Sequence, residues 1–233
     1  MTELHILSAG AAKGLVLAMQ ERFSAARGVT FSSTFGAVGA MREKLLAGEP
    51  CDLIILTVAI IDALATQGLV RAESRAALGS VQTGIAVPAG QAKPDISNSE
   101  ALRRALLNAR GIYLPDPERA TAGIHFSSVL RALGIFDQLR ERLRPFPNGA
   151  AAMRAMADAG APDLIGCTQV TEINYTGGVS LVGPLPREFE LATAYSLAVC
   201  GNAEKPALAR EFAGLLAGPE SLAMRVQGGF VVD

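Results

Sequence analysis

The sequence predicts an α/β protein with mainly parallel sheets flanked by helices. Three observations carry that expectation. Short apolar runs alternate with segments of helical hydrophobic spacing along the whole chain. Residues 53–56 are uninterruptedly apolar, as expected of a strand buried on both faces. Small-residue turns repeatedly join a strand end to a helix start, the connection a parallel sheet needs.

The elements follow in order. Residues 4–7 form a strand ending at Ser8-Ala9-Gly10, and a helix runs from Ala11 to a stop at Gly28. Residues 29–35 are β-branched and aromatic, a second strand. Gly36-Ala37-Val38-Gly39 opens a helix that ends near Gly48, 52–57 is the buried strand, and 60–67 is helical up to Gly68. A strand at 81–87 is halted by Pro88-Ala89-Gly90, and residues 91–97 are the most loop-like stretch of the first half. Asn98 or Ser99 caps a helix over 100–108. A strand at 112–114, a helix over 121–133 and a short helix near Phe136 come next. Pro145-Phe146-Pro147-Asn148-Gly149 leads into a helix over 150–159. Residues 163–168 and 191–199 are strands, and helices at 206–216 and 219–227 close the chain.

Composition narrows the function classes. The 233 residues are 50% hydrophobic, enough for a sizeable core. Lys plus Arg number 21 and Asp plus Glu 22, so the net charge is −1, and no basic tract carries interleaved aromatics. Nucleic acid is therefore not an expected partner. Three widely separated cysteines without CxxC spacing argue against a disulfide framework and against a thiolate metal site, and are read as free, buried thiols. Two histidines rule out a multi-histidine metal centre, and no nucleotide loop is present, so no metal or organic cofactor is expected. The longest apolar run, 53–61, falls far short of the roughly 20 residues that span a bilayer. The N-terminus enters a strand directly, without an apolar leader. As it stands that reads as cytoplasmic; removal of a leader ahead of it would make the protein periplasmic.

Four turns concentrate the chemistry: Ser8-Ala9-Gly10-Ala11, Phe35-Gly36-Ala37-Val38, Ala120-Thr121-Ala122-Gly123 and Asn148-Gly149-Ala150. A helix N-terminus presents unpaired N–H groups and partial positive charge, and small residues admit an anion to them. Such turns also simply permit tight strand-to-helix connections; it is their recurrence, two in each half, that points to an anion site.

Almost the whole chain resembles the molybdate-binding proteins of ABC importers. The resemblance rests on His5-Ile6-Leu7-Ser8-Ala9-Gly10-Ala11, Phe31-Ser32-Ser33-Thr34-Phe35-Gly36 and Leu46-Ala47-Gly48-Glu49-Pro50-Cys51-Asp52-Leu53. It continues in Leu114-Pro115-Asp116-Pro117-Glu118 with Ala122-Gly123, and in Gly218-Pro219-Glu220 with Gln227-Gly228-Gly229-Phe230. It implies the type II periplasmic-binding-protein fold: two lobes, residues 1–84 with 192–233 and residues 85–191, and a ligand cleft between them. It also implies a small anionic ligand, an ABC permease as partner, and a monomer.

The family's two binding serines fall on Ala11 and Val38 and its binding tyrosine on Cys167, with backbone donors at Ala122 and near Gly149. Each hydrogen bond lost from a charged ligand costs about 1.5–3 kcal/mol, so weak molybdate binding is expected. Ser8, Thr34, Thr121, Asn148, Thr168 and Gln169 are the nearest polar side chains for a replacement site, with Gly10, Gly36, Ala37 and Gly149 supplying main chain. These departures also resemble a neighbouring branch that includes aconitate isomerase. That reaction moves a proton within a polycarboxylate, for which His125 or Glu172 is the candidate base and Arg119 a candidate carboxylate partner. Each also has an ordinary structural reading, so a binding protein and a cofactor-free isomerase both stand.

Overall fold

A computed structural model describes residues 2–232. β1 (Thr2–Ala9) runs through a single 3-10 turn, Gly10–Ala12, into α1 (Lys13–Arg27), which ends at Gly28 with φ 64°, a left-handed value that glycine adopts without strain. β2 (Val29–Gly36), α2 (Val38–Leu46), β3 (Leu53–Thr57) and α3 (Val58–Thr66) follow. β4 (Ala76–Pro88) is a 13-residue strand, far longer than the apolar run at 81–87 indicates, because its first residues, Ala-Ala-Leu-Gly-Ser, are mostly small and carry no strand pattern. α4 (Ser99–Asn108) is capped by Asn98, whose side chain accepts from the Ala101 amide. β5 (Gly111–Pro115), α5 (Thr121–Ala132) and α6 (Phe136–Leu139) match the expected order. β6 (Leu143–Phe146) precedes α7 (Gly149–Ala159) and β7 (Leu164–Gln169). α8 (Val170–Asn174), β8 (Val179–Pro184) and β9 (Ala192–Val199) come next, then α9 (Pro206–Ala217), α10 (Leu222–Gly228) and β10 (Phe230–Val231).

The chain divides into two compact units, one ending at Val81 and resuming at Thr193, the other spanning Gln82–Ala192. In unit one, β1 is parallel to β2 and β3, while β9 runs antiparallel to β3 with Leu53 opposite Val199. Leu7, Ile54, Leu56, Ile61, Leu64 and Ala198 form one buried cluster, covered by α2 and α3. On another side Phe23, Phe31 and Phe212 meet ring to ring, with centroids 4.8–6.1 Å apart, tying α1, β2 and α9 together. The buried Asp52 carboxylate is satisfied by the His5 and Lys205 amides at 2.9 and 3.0 Å.

In unit two, β5 is parallel to β6 and β7, and β4 is antiparallel to both β7 and β8. The sheets are thus mixed: the strands that enter and leave each unit run against their neighbours. Ile85, Leu102, Phe126, Leu130 and Cys167 pack on one side of this sheet, and Ala86, Met153, Met156 and Ile173 on the other. Gly123 is required where α5 meets β5, since any Cβ there would strike the carbonyls of Pro115 and Asp116. Among the described residues no helix is long and apolar enough to cross a membrane.

Candidate functional site

In unit one the strand ends of β1 and β2 place two of the four turns. Ser8 and Ala9 stand opposite Phe35 and Gly36, so the Gly10-Ala11 and Gly36-Ala37-Val38 segments leave the sheet side by side. Neither opening carries a side-chain cap: Ala9 precedes the 3-10 turn, and Ala37 is the N-cap of α2. Ser8 is fully buried, and its hydroxyl donates to the Ala9 carbonyl at 3.0 Å, so it serves the turn itself. Ala11 and Ala37 are buried, and Thr34 and Val38 are half-buried. Sequence reasoning overlooked Lys13, whose ammonium lies 5.8 Å from the centre of the Phe35 ring, beside the α2 opening. Its signal was its spacing, three residues after Gly10 at the first turn of α1.

Unit two carries the other turns and more chemistry. α5 opens at Ala120 with no side-chain cap, presenting half-buried Thr121 and buried Ala122. The α7 opening is different. Asn148 caps it, its side chain accepting from Ala151 at 2.9 Å and its carbonyl from Ala152 at 3.1 Å. The two remaining amides, Gly149 and Ala150, donate to the Glu172 carboxylate. That carboxylate also accepts from the Gln169 amide and, at 2.5 Å, from the Thr168 hydroxyl. Asn148, Gly149, Thr168, Gln169 and Glu172 are therefore brought together, with the chain's own carboxylate at the start of α7. A Cβ at Gly149 would collide with Thr168 and Glu172, which explains the glycine. Burial pushes the Glu172 carboxyl up, outweighing the hydrogen bonds that pull it down.

The other candidates lie elsewhere. Cys167 is wholly buried in the core opposite Ile85, and burial pushes its thiol well up. His125 Nε2 is 2.8 Å from the Phe189 carbonyl; a carbonyl only accepts, so this nitrogen carries the hydrogen. Arg119 is exposed, its amide held with that of Glu118 by the Asp116 carboxylate. Thr83 was not anticipated. It stands opposite Gln169 on the face shared by Ile85 and Cys167, and its buried hydroxyl has no hydrogen-bond partner among the described residues. Also among the described residues, no group of three or more His, Cys, Asp or Glu side chains is placed to hold a metal ion.

An α/β fold of two sheet-based units with bare helix openings at strand ends is consistent with a solute-binding protein. Residues 4–231 match the family model described as bacterial extracellular solute-binding protein, and the chain belongs to that family. It is 27% identical over 230 residues to an aconitate isomerase of Pseudomonas sp., covering 95% of this chain and 84% of that protein. It is 26% identical over 227 residues to the molybdate-binding protein ModA of Escherichia coli (strain K12), covering 95% and 87%. Among solved structures, the periplasmic molybdate-binding protein of Azotobacter vinelandii superposes with a TM-score of 0.79 at 19% identity, covering 99% of each chain. The sulfate-binding protein SubI of Mycobacterium tuberculosis H37Rv gives 0.74 at 19% identity, covering 99% of this chain and 86% of that one. At these identities the two structures speak for the fold.

Proposed function

We propose that this protein is a receptor for a small anion, an oxyanion or a carboxylate, acting with an ABC permease outside the cytoplasm. The observation that carries this reading is the set of helix openings without side-chain caps: Gly10-Ala11 and Gly36-Val38 in unit one, Thr121-Ala122 in unit two. Their main-chain N–H groups are the donors proposed for the ligand. Lys13 adds a positive charge beside the α2 opening, and Thr83 adds a buried hydroxyl awaiting a partner. The relatives' names support the ligand class: one binds molybdate and one isomerises aconitate.

The α7 amides are not counted among the donors, because Glu172 and Asn148 hold them. With Ala11, Val38 and Cys167 where the molybdate pattern has hydroxyls, this leaves a site poor for molybdate and better suited to a carboxylate. The test is a thermal-shift screen with molybdate, tungstate, sulfate, phosphate, and di- and tricarboxylates. A true ligand at 100 times its dissociation constant adds about 2.7 kcal/mol of stability. A carboxylate should give the largest shift. Nanomolar molybdate affinity by calorimetry would overturn this preference, and no shift with any anion would overturn the receptor reading.

A second reading, a cofactor-free isomerase of a small polycarboxylate, is favoured by one observation: Glu172 is a buried carboxyl whose affinity for a proton is raised. A carboxyl of that kind exchanges a proton with carbon more readily than an exposed one. His125, fixed to the Phe189 carbonyl, is the less suitable base. Incubation with cis- and trans-aconitate in heavy water decides between the readings. Isomerisation with deuterium uptake, lost in Glu172→Gln and kept in His125→Gln, establishes the enzyme. A thermal shift by the same compounds without turnover or exchange establishes a binding protein alone.

A further inference from the structure

Unit one is assembled from two stretches far apart in sequence, and its only two cysteines sit one on each. Cys51 lies just ahead of β3, and Cys200 lies just after β9. The antiparallel β3–β9 ladder continues past Leu53 and Val199 into a bond from the Cys200 amide to the Asp52 carbonyl, 2.9 Å long. This sets Cys200 opposite Asp52, and Cys51, one residue beyond the ladder, shares its buried cluster: the Cys200 and Cys51 Sγ atoms are 3.2 Å apart. The Cys51 thiol in turn donates to the Leu53 carbonyl at 3.3 Å. Both residues are buried, whereas Cys167, the third cysteine, is buried in β7 of unit two. A bonded pair of sulfurs is about 2.05 Å apart, so about 1 Å of closure by side-chain rotation separates this dithiol from a disulfide.

We propose that Cys51 and Cys200 are a disulfide-forming pair that closes when the chain meets a small-molecule or protein disulfide as oxidant. The Cys51 sulfur, as thiolate, attacks the oxidant disulfide, forming a mixed disulfide and releasing one thiol. The Cys200 sulfur then gives up its proton and attacks the Cys51 sulfur, expelling the second thiol. The pair loses two electrons and two protons, and the oxidant is reduced to two thiols. Hydrogen bonding to Cys51 and burial push the Cys200 thiol up and keep it protonated, so the folded chain reacts slowly and assembly of unit one is the favoured moment. The loop so closed, from residue 51 to residue 200, contains all of unit two. The bond therefore joins covalently the two stretches that together make unit one, and a loop this long strongly constrains the unfolded chain.

The test needs no knowledge of the ligand. Reduced, denatured protein is refolded in a mixture of reduced and oxidised glutathione, then denatured, alkylated and weighed. The expected product is lighter by two hydrogens, carries one alkylated thiol at Cys167, and yields a reducible Cys51–Cys200 peptide pair. Cys167→Ser should still form the bond, and Cys51→Ser and Cys200→Ser should each lose it. Reduction of the closed form should lower the melting temperature by at least about 5 °C. Where refolding is incomplete, the same count is made on folded protein held with oxidised glutathione in urea just below its unfolding transition. Three alkylatable thiols after either treatment, or a crosslink through Cys167, would overturn the proposal.

Discussion

Glu172 is the residue whose local physics bears most directly on the proposed function. Its carboxylate takes amides that an outside anion would otherwise use, and it does so from a buried position where ionisation is costly. Its proton affinity in the fold is raised above the ordinary value of 4.5. A raised pKa means that the folded state holds the proton more tightly than the unfolded one. The stability this contributes is full below about pH 4.5 and is lost as pH rises from there through the folded-state pKa. Glu172→Gln removes that loss, so urea midpoints between pH 4 and 8 should fall less steeply with pH in the variant than in the parent chain. Parallel slopes would mean that Glu172 titrates as an ordinary carboxylate. Little of this was legible in the sequence. Glu172 stood out as an acid after a buried strand, but nothing in the spacing told that it would bend back onto Gly149 and Ala150. Lys13 offered only its spacing after Gly10, and Thr83 was silent, since a strand threonine does not announce what it faces.

At the scale of elements, the helix starts divide into two kinds. α4 and α7 carry asparagine caps, whereas α2 and α5 begin at alanines that cap nothing. An alanine at an N-cap forgoes about 0.5–2 kcal/mol relative to Asp, Asn, Ser or Thr, a loss that an anion bound at the opening would recover. Placing the missing acceptor in the chain tests this. Ala37→Asp and Ala120→Asp should each raise stability, by about 0.5–1 kcal/mol, while weakening anion binding at least about tenfold through repulsion. Chemical denaturation and calorimetry on the same samples separate the two effects. A variant that gains stability and binds unchanged would remove that turn from the site. Gly36 is a poorer position to probe, because a Cβ there would press on Met41 Cε at 2.7 Å. The longer helices were legible because hydrophobic period and turn residues agree with the fold, whereas α8, with five residues, and the first half of β4 were not. Nor were β6, β8 and β10. β6 is four residues of Leu-Arg-Pro-Phe, β8 is only half-buried and ends in Gly-Pro, and β10 has two residues. Each is an edge segment whose pairing comes from its neighbour rather than from its own pattern.

For the molecule as a whole, the consequence lies in chain order. Unit two is one continuous stretch, Gln82–Ala192, with its own buried clusters around Phe126 and around Met153. Its strands β4 to β8 pair with one another from Thr83 onward, so none of its central hydrogen bonds waits for a distant segment. Unit one is interrupted. β9 pairs along β3, and Phe212 of α9 closes the aromatic group with Phe23 and Phe31, yet both arrive only after residue 192. Without that return, β3 presents an unpaired edge that is apolar from Leu53 to Leu56, a template for aggregation. A fragment of residues 82–192 should therefore fold alone, with a cooperative urea transition followed by circular dichroism. A fragment of residues 1–81 should not, and adding residues 193–233 in trans should restore structure to it. Cooperative unfolding of 1–81 alone would show that β9 is dispensable to the first sheet. Failure of 82–192 to fold would show that the first half of β4, which lies outside that fragment, is needed to hold the second.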